Sequence, residues 1–169
     1  SETAAWSFYG QSYRLSANYI KGLECHLKAI ALAEKSGNKS LLALAQNQMA
    51  HIYKDREEYD KALRLYNMAK YNAKLGVSDQ MVVWPMMNMG AVFLAINQLD
   101  SSLYYSREAY GKIQNNDMSR NLSLVLANIG SAYSMLGNSS EAARFFKVAV
   151  DSALHSGSSR YLYFAYLLN

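Results

Sequence analysis

Residue types return along this chain at a fixed step of 40 residues. A small residue recurs at this step four times, as Gly10, Ala50, Gly90 and Gly130. Three further columns keep the same step, namely the aromatic residues Tyr13, Tyr53, Phe93 and Tyr133, the large apolar residues Tyr9, Met49, Met89 and Ile129, and the alanines Ala29, Ala69, Ala109 and Ala149. A period of this length is typical of a solenoid, in which each unit buries its apolar face by stacking on its neighbours.

The stretch from Ala45 to Ala73 shows what one unit contains. It consists of two amphipathic segments joined at Glu57 and Glu58, and each has apolar residues at helical spacing. Small residues recur where two helices approach closely, and bulky residues recur where the space between helices must be filled. Replacing Gly90 with Leu is therefore expected to overpack a helix crossing, at a cost of about 1 to 3 kcal/mol.

Turn-forming residues divide the chain into helices. Gly37 is placed to end a helix as a left-handed C-terminal cap, Gly76 and Gly157 stand at similar positions, and Ser78 or Asp79 can cap the next helix. The predicted helices span about 4–16, 19–35, 41–54, 59–75, 99–113, 119–136 and 140–155, with one more, interrupted by Pro85, as the first helix of the third unit, and a polar turn at 115–117. Pro85 predicts either a late start or a bend in that additional helix, and the apolar residues before it favour the bend.

The repeat resembles a known family. Its signature spacing is matched by Trp6, Tyr9, Gly10, Tyr13, Tyr19, Gly22, Ala29 and Leu32, and again by Met49, Ala50, Tyr53, Tyr59, Ala62, Tyr66 and Ala69. These are the spacings of the tetratricopeptide repeat, although the step of 40 is longer than the usual 34. The resemblance implies an all-α fold, a right-handed superhelix (α-solenoid) of antiparallel helix pairs. We expect one domain over residues 1–169, with repeats at about 4–38, 39–78, 79–117 and 118–157 and the start of a fifth first helix at 158–169.

Composition narrows the class of function. The net charge of +4 is mild, and Lys and Arg are scattered, which argues against a dedicated nucleic-acid surface. The single cysteine, Cys25, excludes an internal disulfide and leaves the compartment open. No apolar run reaches 18 residues, and the N-terminal residues lack a signal-peptide layout.

Peptide-contacting positions follow from the resemblance, because in this family they flank the small-residue column on the first helix of each unit. This surface lies on the concave side of a superhelix, where such proteins bind partners. The residues carried over to this chain are Phe8, Gln11, Arg14, Asn47, Gln48, His51, Lys54, Trp84, Met87, Asn88, Asn128 and Ser131.

Three amides within this set, Gln48, Asn88 and Asn128, stand 40 residues apart. An amide offers both a donor and an acceptor, so such a column can pair with the backbone of an extended peptide. The alternative is that the amides simply face water. If the column binds peptide, replacing Asn88 and Asn128 with Ala is expected to abolish capture of partners and leave helicity and stability unchanged.

Other members of the set suggest what a partner would carry. Arg14 and Lys54 could hold a carboxylate, from a C-terminus or an acidic side chain. Phe8, Trp84 and Met87 suggest a place for an apolar side chain, although Trp84 could instead pack against a neighbouring helix.

The sequence does not favour an enzyme. His26 falls in a packing column and is expected to be a core histidine, and the adjacent Cys25 points in another direction on the helix. His51 and Asp55 share one helix face, but two ligands without a third are weak evidence for a metal. We therefore expect no catalytic residue, no cofactor and no metal.

Three functional interpretations remain. The chain could be a protein- or peptide-binding scaffold, the sensing part of a larger bacterial regulator, or a small-molecule receptor such as a sugar receptor. The second interpretation is an analogy with the repeat arrays that precede a membrane helix and a DNA-binding or kinase module in such regulators. The chain would then be a fragment of a longer protein, on the periplasmic side of a membrane. The apolar last segment is expected either to be a helix whose next partner is missing from a fragment, or to mediate self-association through Tyr161, Phe164 and Leu168.

Overall fold

The structure is a computed structural model, and it describes residues 1–115 and 119–155. This part of the chain forms α-helices connected by short turns, and the predicted all-α fold of helix pairs is confirmed. The helices are α1 (Glu2–Leu15), α2 (Tyr19–Lys35), α3 (Lys39–Asp55), α4 (Tyr59–Leu75), α5 (Asp79–Ala95), α6 (Leu99–Asn115), α7 (Ser119–Met135) and α8 (Ser139–His155).

The helices belong to two compact units, residues 1–85 and 86–169. In the first unit, α1 packs on α2, α3 on α4, α2 on α3, and α1 on α3. In the second unit, α6 packs on α7 and α7 on α8. The helix starts at residues 19, 59, 99 and 139 and at 39, 79 and 119 repeat at the 40-residue step read from the sequence. The polar turn at 115–117, Gly157 and the apolar segment with Tyr161, Phe164 and Leu168 fall wholly or partly outside the described residues.

Among the described residues, three-residue turns connect successive helices at 16–18, 36–38, 56–58, 76–78, 96–98 and 136–138. The middle residue of each described turn has positive φ, and the next residue donates its N–H to a carbonyl five residues back, which satisfies a carbonyl at the helix end. The third residue of the connecting turn often caps the following helix as well. The side chains of Asn18, Asn38, Ser78 and Asn138 accept backbone N–H groups from the first turn of that helix. The positive-φ residues are Ala17, Gly37, Glu57, Val77, Asn97 and Gly137.

Gly76 has a different role from the one its sequence position suggested. Helix α4 does end beside it, but its φ is −80°, and the left-handed residue is Val77 at φ 55°. A Cβ on Gly76 would lie 2.4 Å from Ser40 Oγ and 3.0 Å from Ser40 N. Gly76 is therefore required by the close approach of the α4 end to the start of α3, where Ser40 Oγ donates to its carbonyl at 3.3 Å.

Pro85 lies inside α5, which begins at Asp79, so the late helix start considered from the sequence is wrong. The residues before the proline are packed as expected, since Val82 and Val83 are buried. Burial of this first turn and a half offsets the backbone hydrogen bond that a proline removes from a helix.

The small-residue column is a set of close helix contacts, as the sequence predicted. A Cβ on Gly10 would lie 2.5 Å from His26 Cε1, one on Gly90 would lie 2.4 Å from Ser106 Oγ, and one on Gly130 would lie 2.9 Å from the ring of Phe146. In each case the small residue of the first helix faces the residue 16 positions later, on the second helix of the pair. These contacts hold the helices of each pair at a short distance.

Candidate partner-binding face

An ion pair joins α1 and α3, which are the first helices of the first and second repeats. Arg14, in the last turn of α1, donates from Nη1 to Oδ2 of Asp55, the last residue of α3, and from Nε to Oε1 of Gln11 at 3.1 Å. The Arg14 and Asp55 side chains are 17% and 26% exposed, so the pair is partly shielded from solvent. We call the surface around it the α1–α3 face, formed by Gln11, Arg14, Asn47, His51, Lys54 and Asp55.

Lys54 brings a second cation to the α1–α3 face. Burial lowers the pKa of its ammonium, Arg14 lowers it further, and Asp55 opposes both effects. Within residues 1–115 and 119–155, Asp55 pairs with Arg14, and Lys54 takes part in no ion pair. The side chains of Arg14, Lys54 and Asp55 together carry a net charge of +1 in a partly desolvated place, because the nearby histidines are neutral.

His51 is held as a neutral ring between α3 and α4. The Nδ2 of Asn47 lies 3.4 Å from Nε2, and the hydroxyl of Tyr66 lies 2.9 Å from Nδ1. A neutral ring that accepts from Asn47 at Nε2 can donate from Nδ1 to the Tyr66 oxygen, whereas a protonated ring would set one of its N–H groups against the Asn47 amide. In accordance with this, burial and then Lys54, Arg14 and His26 lower the pKa of His51 to about 3. Both ring nitrogens of His51 and the carboxylate of Asp55 thus have partners other than a metal.

His26 is a core histidine, as expected. Its side chain is fully buried against Gly10, and neither ring nitrogen has a hydrogen-bond partner among the described residues. Burial lowers its pKa to about 4, and the charge of Arg14 acts in the same direction. The ring is therefore neutral at physiological pH and contributes packing rather than proton transfer.

The remaining predicted positions of the first unit differ in exposure. Phe8 is 72% exposed and free to contact a partner, whereas Gln48 and Trp84 are half-buried. The Oε1 atom of Gln48 is buried without a hydrogen-bond partner among the described residues, so this amide has an unused acceptor. Asn47 is buried and bonded to His51, so its part in the α1–α3 face is to hold that ring.

In the second unit the predicted positions are mostly buried. Met87, Asn88 and Asn128 are 7%, 6% and 7% exposed, and only Ser131 is half-buried. Asn128 donates from Nδ2 to the carbonyl of Met87 at 3.3 Å, so this amide bonds the chain's own backbone and neither faces water nor offers that donor to a peptide. Replacing Asn128 with Ala would remove this hydrogen bond, which argues against the expectation that stability stays unchanged, and Met87 lies in the core.

Sequence reasoning found Arg14 and Lys54 but missed Asp55 as the partner of Arg14. The two residues are 41 positions apart, one more than the repeat step, so the pair does not follow a column. It also missed the contact of Tyr66 with His51, because Tyr66 was considered only as a packing position of the repeat signature; its ring is fully buried. A hydroxyl on a buried ring needs a partner, and this was the available signal.

Two classes of site can be addressed within residues 1–115 and 119–155. No three His, Cys, Asp or Glu side chains are grouped so that they could hold a metal ion. None of the helices in this part of the chain is long and apolar enough to cross a membrane.

The fold and the α1–α3 face define a class, that of all-α repeat proteins built from antiparallel helix pairs. Residues 1–74 match the family model of the tetratricopeptide repeat. The chain is 25% identical, over 170 aligned residues, to Protein KINESIN LIGHT CHAIN-RELATED 2 of Arabidopsis thaliana, and the match covers 95% of this chain. The resemblance to the tetratricopeptide repeat that the sequence suggested is thus confirmed for residues 1–74.

Solved structures share the fold at low sequence identity. BtubC (BKLC) from P. vanneervenii is 20% identical with a TM-score of 0.79 over 92% of this chain. Aspartyl phosphate phosphatase F from Bacillus subtilis is 15% identical with a TM-score of 0.86 over 96% of this chain. The chain spans 25% of the plant relative and 65% and 43% of the two solved chains. At these identities the likeness shows the fold, and the activity named for the Bacillus subtilis protein is a property of that protein.

Proposed function

We propose that this chain is a non-catalytic, protein-binding scaffold that holds an acidic segment of its partner against the α1–α3 face. Helix repeats of this kind present extended surfaces for binding, and the family assignment supports that general role. The observation that carries the proposal is Lys54, a partly desolvated cation without an ion pair among the described residues.

The charges on this face specify the chemistry of the partner. Arg14 is already paired with Asp55, so an incoming carboxylate would bind Lys54 and share the outer donors of Arg14. The exposed ring of Phe8, on the same helix as Arg14, is available to an apolar side chain of the partner. A carboxylate would return the pKa of Lys54 towards its usual range, because it would offset the desolvation that lowers it.

Selection from a random peptide library tests the proposal. Peptides captured by the wild-type protein are expected to carry Asp, Glu or a C-terminal carboxylate at a fixed position. Replacing Lys54 with Met should weaken their binding by roughly tenfold or more, equivalent to about 1.4 kcal/mol. Lys39→Met is the matched control, since Lys39 is exposed and lies at the opposite end of α3 from Lys54.

The proposal is contradicted if the selected peptides lack acidic residues, or if Lys54→Met and Lys39→Met bind them equally well. Circular dichroism of both variants shows whether the helices are intact.

We further propose that this scaffold is the partner-sensing part of a larger bacterial regulatory protein. The sequence analogy with repeat arrays that precede membrane helices and DNA-binding or kinase modules supports this narrower form. Mass spectrometry of the native polypeptide tests it. A membrane span followed by a DNA-binding or kinase segment beyond residue 169 is the expected result. A native polypeptide that continues into further repeats, or that ends at residue 169, would contradict it.

A further inference from the structure

A pair of stacked rings fills the same place in the third and fourth repeats. Phe93 stacks on Tyr105 with ring centroids 5.4 Å apart and planes 9° from parallel. Tyr133 stacks on Phe145 with centroids 5.7 Å apart and planes 14° from parallel. In both repeats, the aromatic column of the first helix is covered by a ring twelve residues later, on the second helix.

The first repeat lacks the covering ring. The residue twelve positions after Tyr13 is Cys25, whose small side chain is buried, whereas the second repeat has Leu65 at this position. A cleft of about 380 Å³ opens beside Tyr13. Its lining consists of Trp6, Tyr9, Tyr13, Lys21, Glu24, Cys25 and Lys28.

The cleft combines aromatic walls with excess positive charge. The rings of Trp6 and Tyr9 meet edge to face at 6.1 Å, and Lys28 Nζ lies 4.3 Å from the Trp6 ring centroid. Lys21 Nζ lies 5.6 Å from the Tyr13 ring centroid. Glu24 is the one carboxylate in the lining, so two ammonium groups face a single negative charge.

We propose that this cleft binds an aromatic ring that carries or adjoins a carboxylate. The ring stacks on Tyr13 in the position that Tyr105 and Phe145 occupy in the later repeats, above the Cys25 side chain. The carboxylate pairs with Lys21 and Lys28 at the open side of the cleft.

This site is separate from the α1–α3 face. Its α1 residues, Trp6, Tyr9 and Tyr13, are spaced to form one stripe of that helix, while Gln11 and Arg14 lie on another. The cleft proposal therefore does not depend on the proposed function, and binding at one site can fail while binding at the other is retained.

Two probes distinguish the sources of such a ring. Phenylacetate represents a free aromatic acid, and the blocked peptide acetyl-Glu-Phe-Glu-amide represents an aromatic residue in an acidic protein segment. Binding is followed by the fluorescence of Trp6 in a Trp84→Phe background, since the chain contains two tryptophans. Calorimetry on the unmodified protein gives the affinity.

Cys25→Phe is the decisive variant, because it restores the covering ring from the protein's own side. We expect it to remove probe binding, to raise the melting temperature, and to leave the selected acidic peptides bound at the α1–α3 face. Leu65→Phe is the matched control in the second repeat and should leave probe binding unchanged. Lys28→Met should weaken the probe's binding severalfold. If Cys25→Phe does not fold, Cys25→Leu, which copies the second repeat, replaces it.

Binding of either probe at millimolar concentration, lost in Cys25→Phe, supports the cleft, and the probe that binds identifies the source. The inference is overturned if neither probe binds, or if the folded cleft-filling variant binds as strongly as the wild-type protein.

Discussion

We expect the buried His26 to make this protein sensitive to acid, and replacing it with Phe to remove part of that sensitivity. The imidazole is fully buried with both nitrogens unpaired among the described residues, and its pKa is lowered to about 4. In the unfolded chain the ring titrates near its ordinary value of about 6.5. Phe is the natural replacement, because Phe146 occupies the same position opposite Gly130 in the fourth repeat.

The sign and size of the effect follow from these two pKa values. Between pH 6.5 and about 4 the unfolded chain binds a proton that the folded protein does not, so the free energy of unfolding falls as the pH falls. At pH 5 the loss from His26 is about 2 kcal/mol relative to pH 8, and it approaches about 3 kcal/mol below pH 4. His51, with its pKa lowered to about 3, adds a similar loss at pH 5.

Urea unfolding of the wild-type protein and His26→Phe at pH 8 and pH 5 measures the difference. The variant should lose about 2 kcal/mol less than the wild-type protein, and it should already be more stable at pH 8 by about 1 to 3 kcal/mol because two unpaired polar atoms are removed. His51→Phe is a useful comparison, since it breaks the contacts with Asn47 and Tyr66 and should destabilise the protein at pH 8. Equal pH dependence in wild type and His26→Phe would refute the reasoning.

Four further substitutions test the backbone and the packing columns by urea unfolding. Val77→Gly should raise stability by about 1 kcal/mol because a β-branched residue at φ 55° is strained, and Gly37→Ala, where φ is 67°, should lower it by a similar amount; no change in either would contradict the left-handed turns. Gly90→Leu should cost about 1 to 3 kcal/mol, because even its Cβ would lie 2.4 Å from Ser106 Oγ. Gly111→Leu is its control, since a Cβ there meets nothing within 4 Å, and a loss of equal size would show that the helix crossing is not the cause.

Most of the fold could be predicted because the repeat is written in side-chain size and in turn residues. Gly37 and Asn38 stand where a left-handed turn and a helix cap are needed, and they ended and restarted the helices as expected. Val77 and Gly76 could not be assigned from local rules, because there the glycine serves a contact with Ser40 and the turn tolerates a strained valine. Whether a glycine serves a close helix contact or a left-handed turn depends on a neighbouring helix, and a local sequence pattern carries no information about that helix.

The binding face could be predicted only in outline. The column positions identified Arg14 and Lys54, but which of the two cations is paired is decided by Asp55, which lies outside the column. Asn128 was interpreted as a peptide contact because its residue type suits one, whereas the structure places the Met87 carbonyl within its reach. Which partner a polar side chain takes depends on angstrom-scale distances that periodicity does not fix.

Some buried polar groups of the first unit are not required by the repeat and therefore point to chemistry specific to this protein. Its core includes the unpaired ring of His26 and the buried pair in which Asn72 donates to Gln46 at 2.9 Å. The positions equivalent to Gln46 in the third and fourth repeats are Met86 and Leu126, both buried, so the fold does not require an amide there. Buried polar groups cost stability when unpaired and add little when paired, and departures from an apolar core concentrate at functional sites. The same unit holds the α1–α3 face and the cleft at Tyr13, and binding experiments should therefore begin with it.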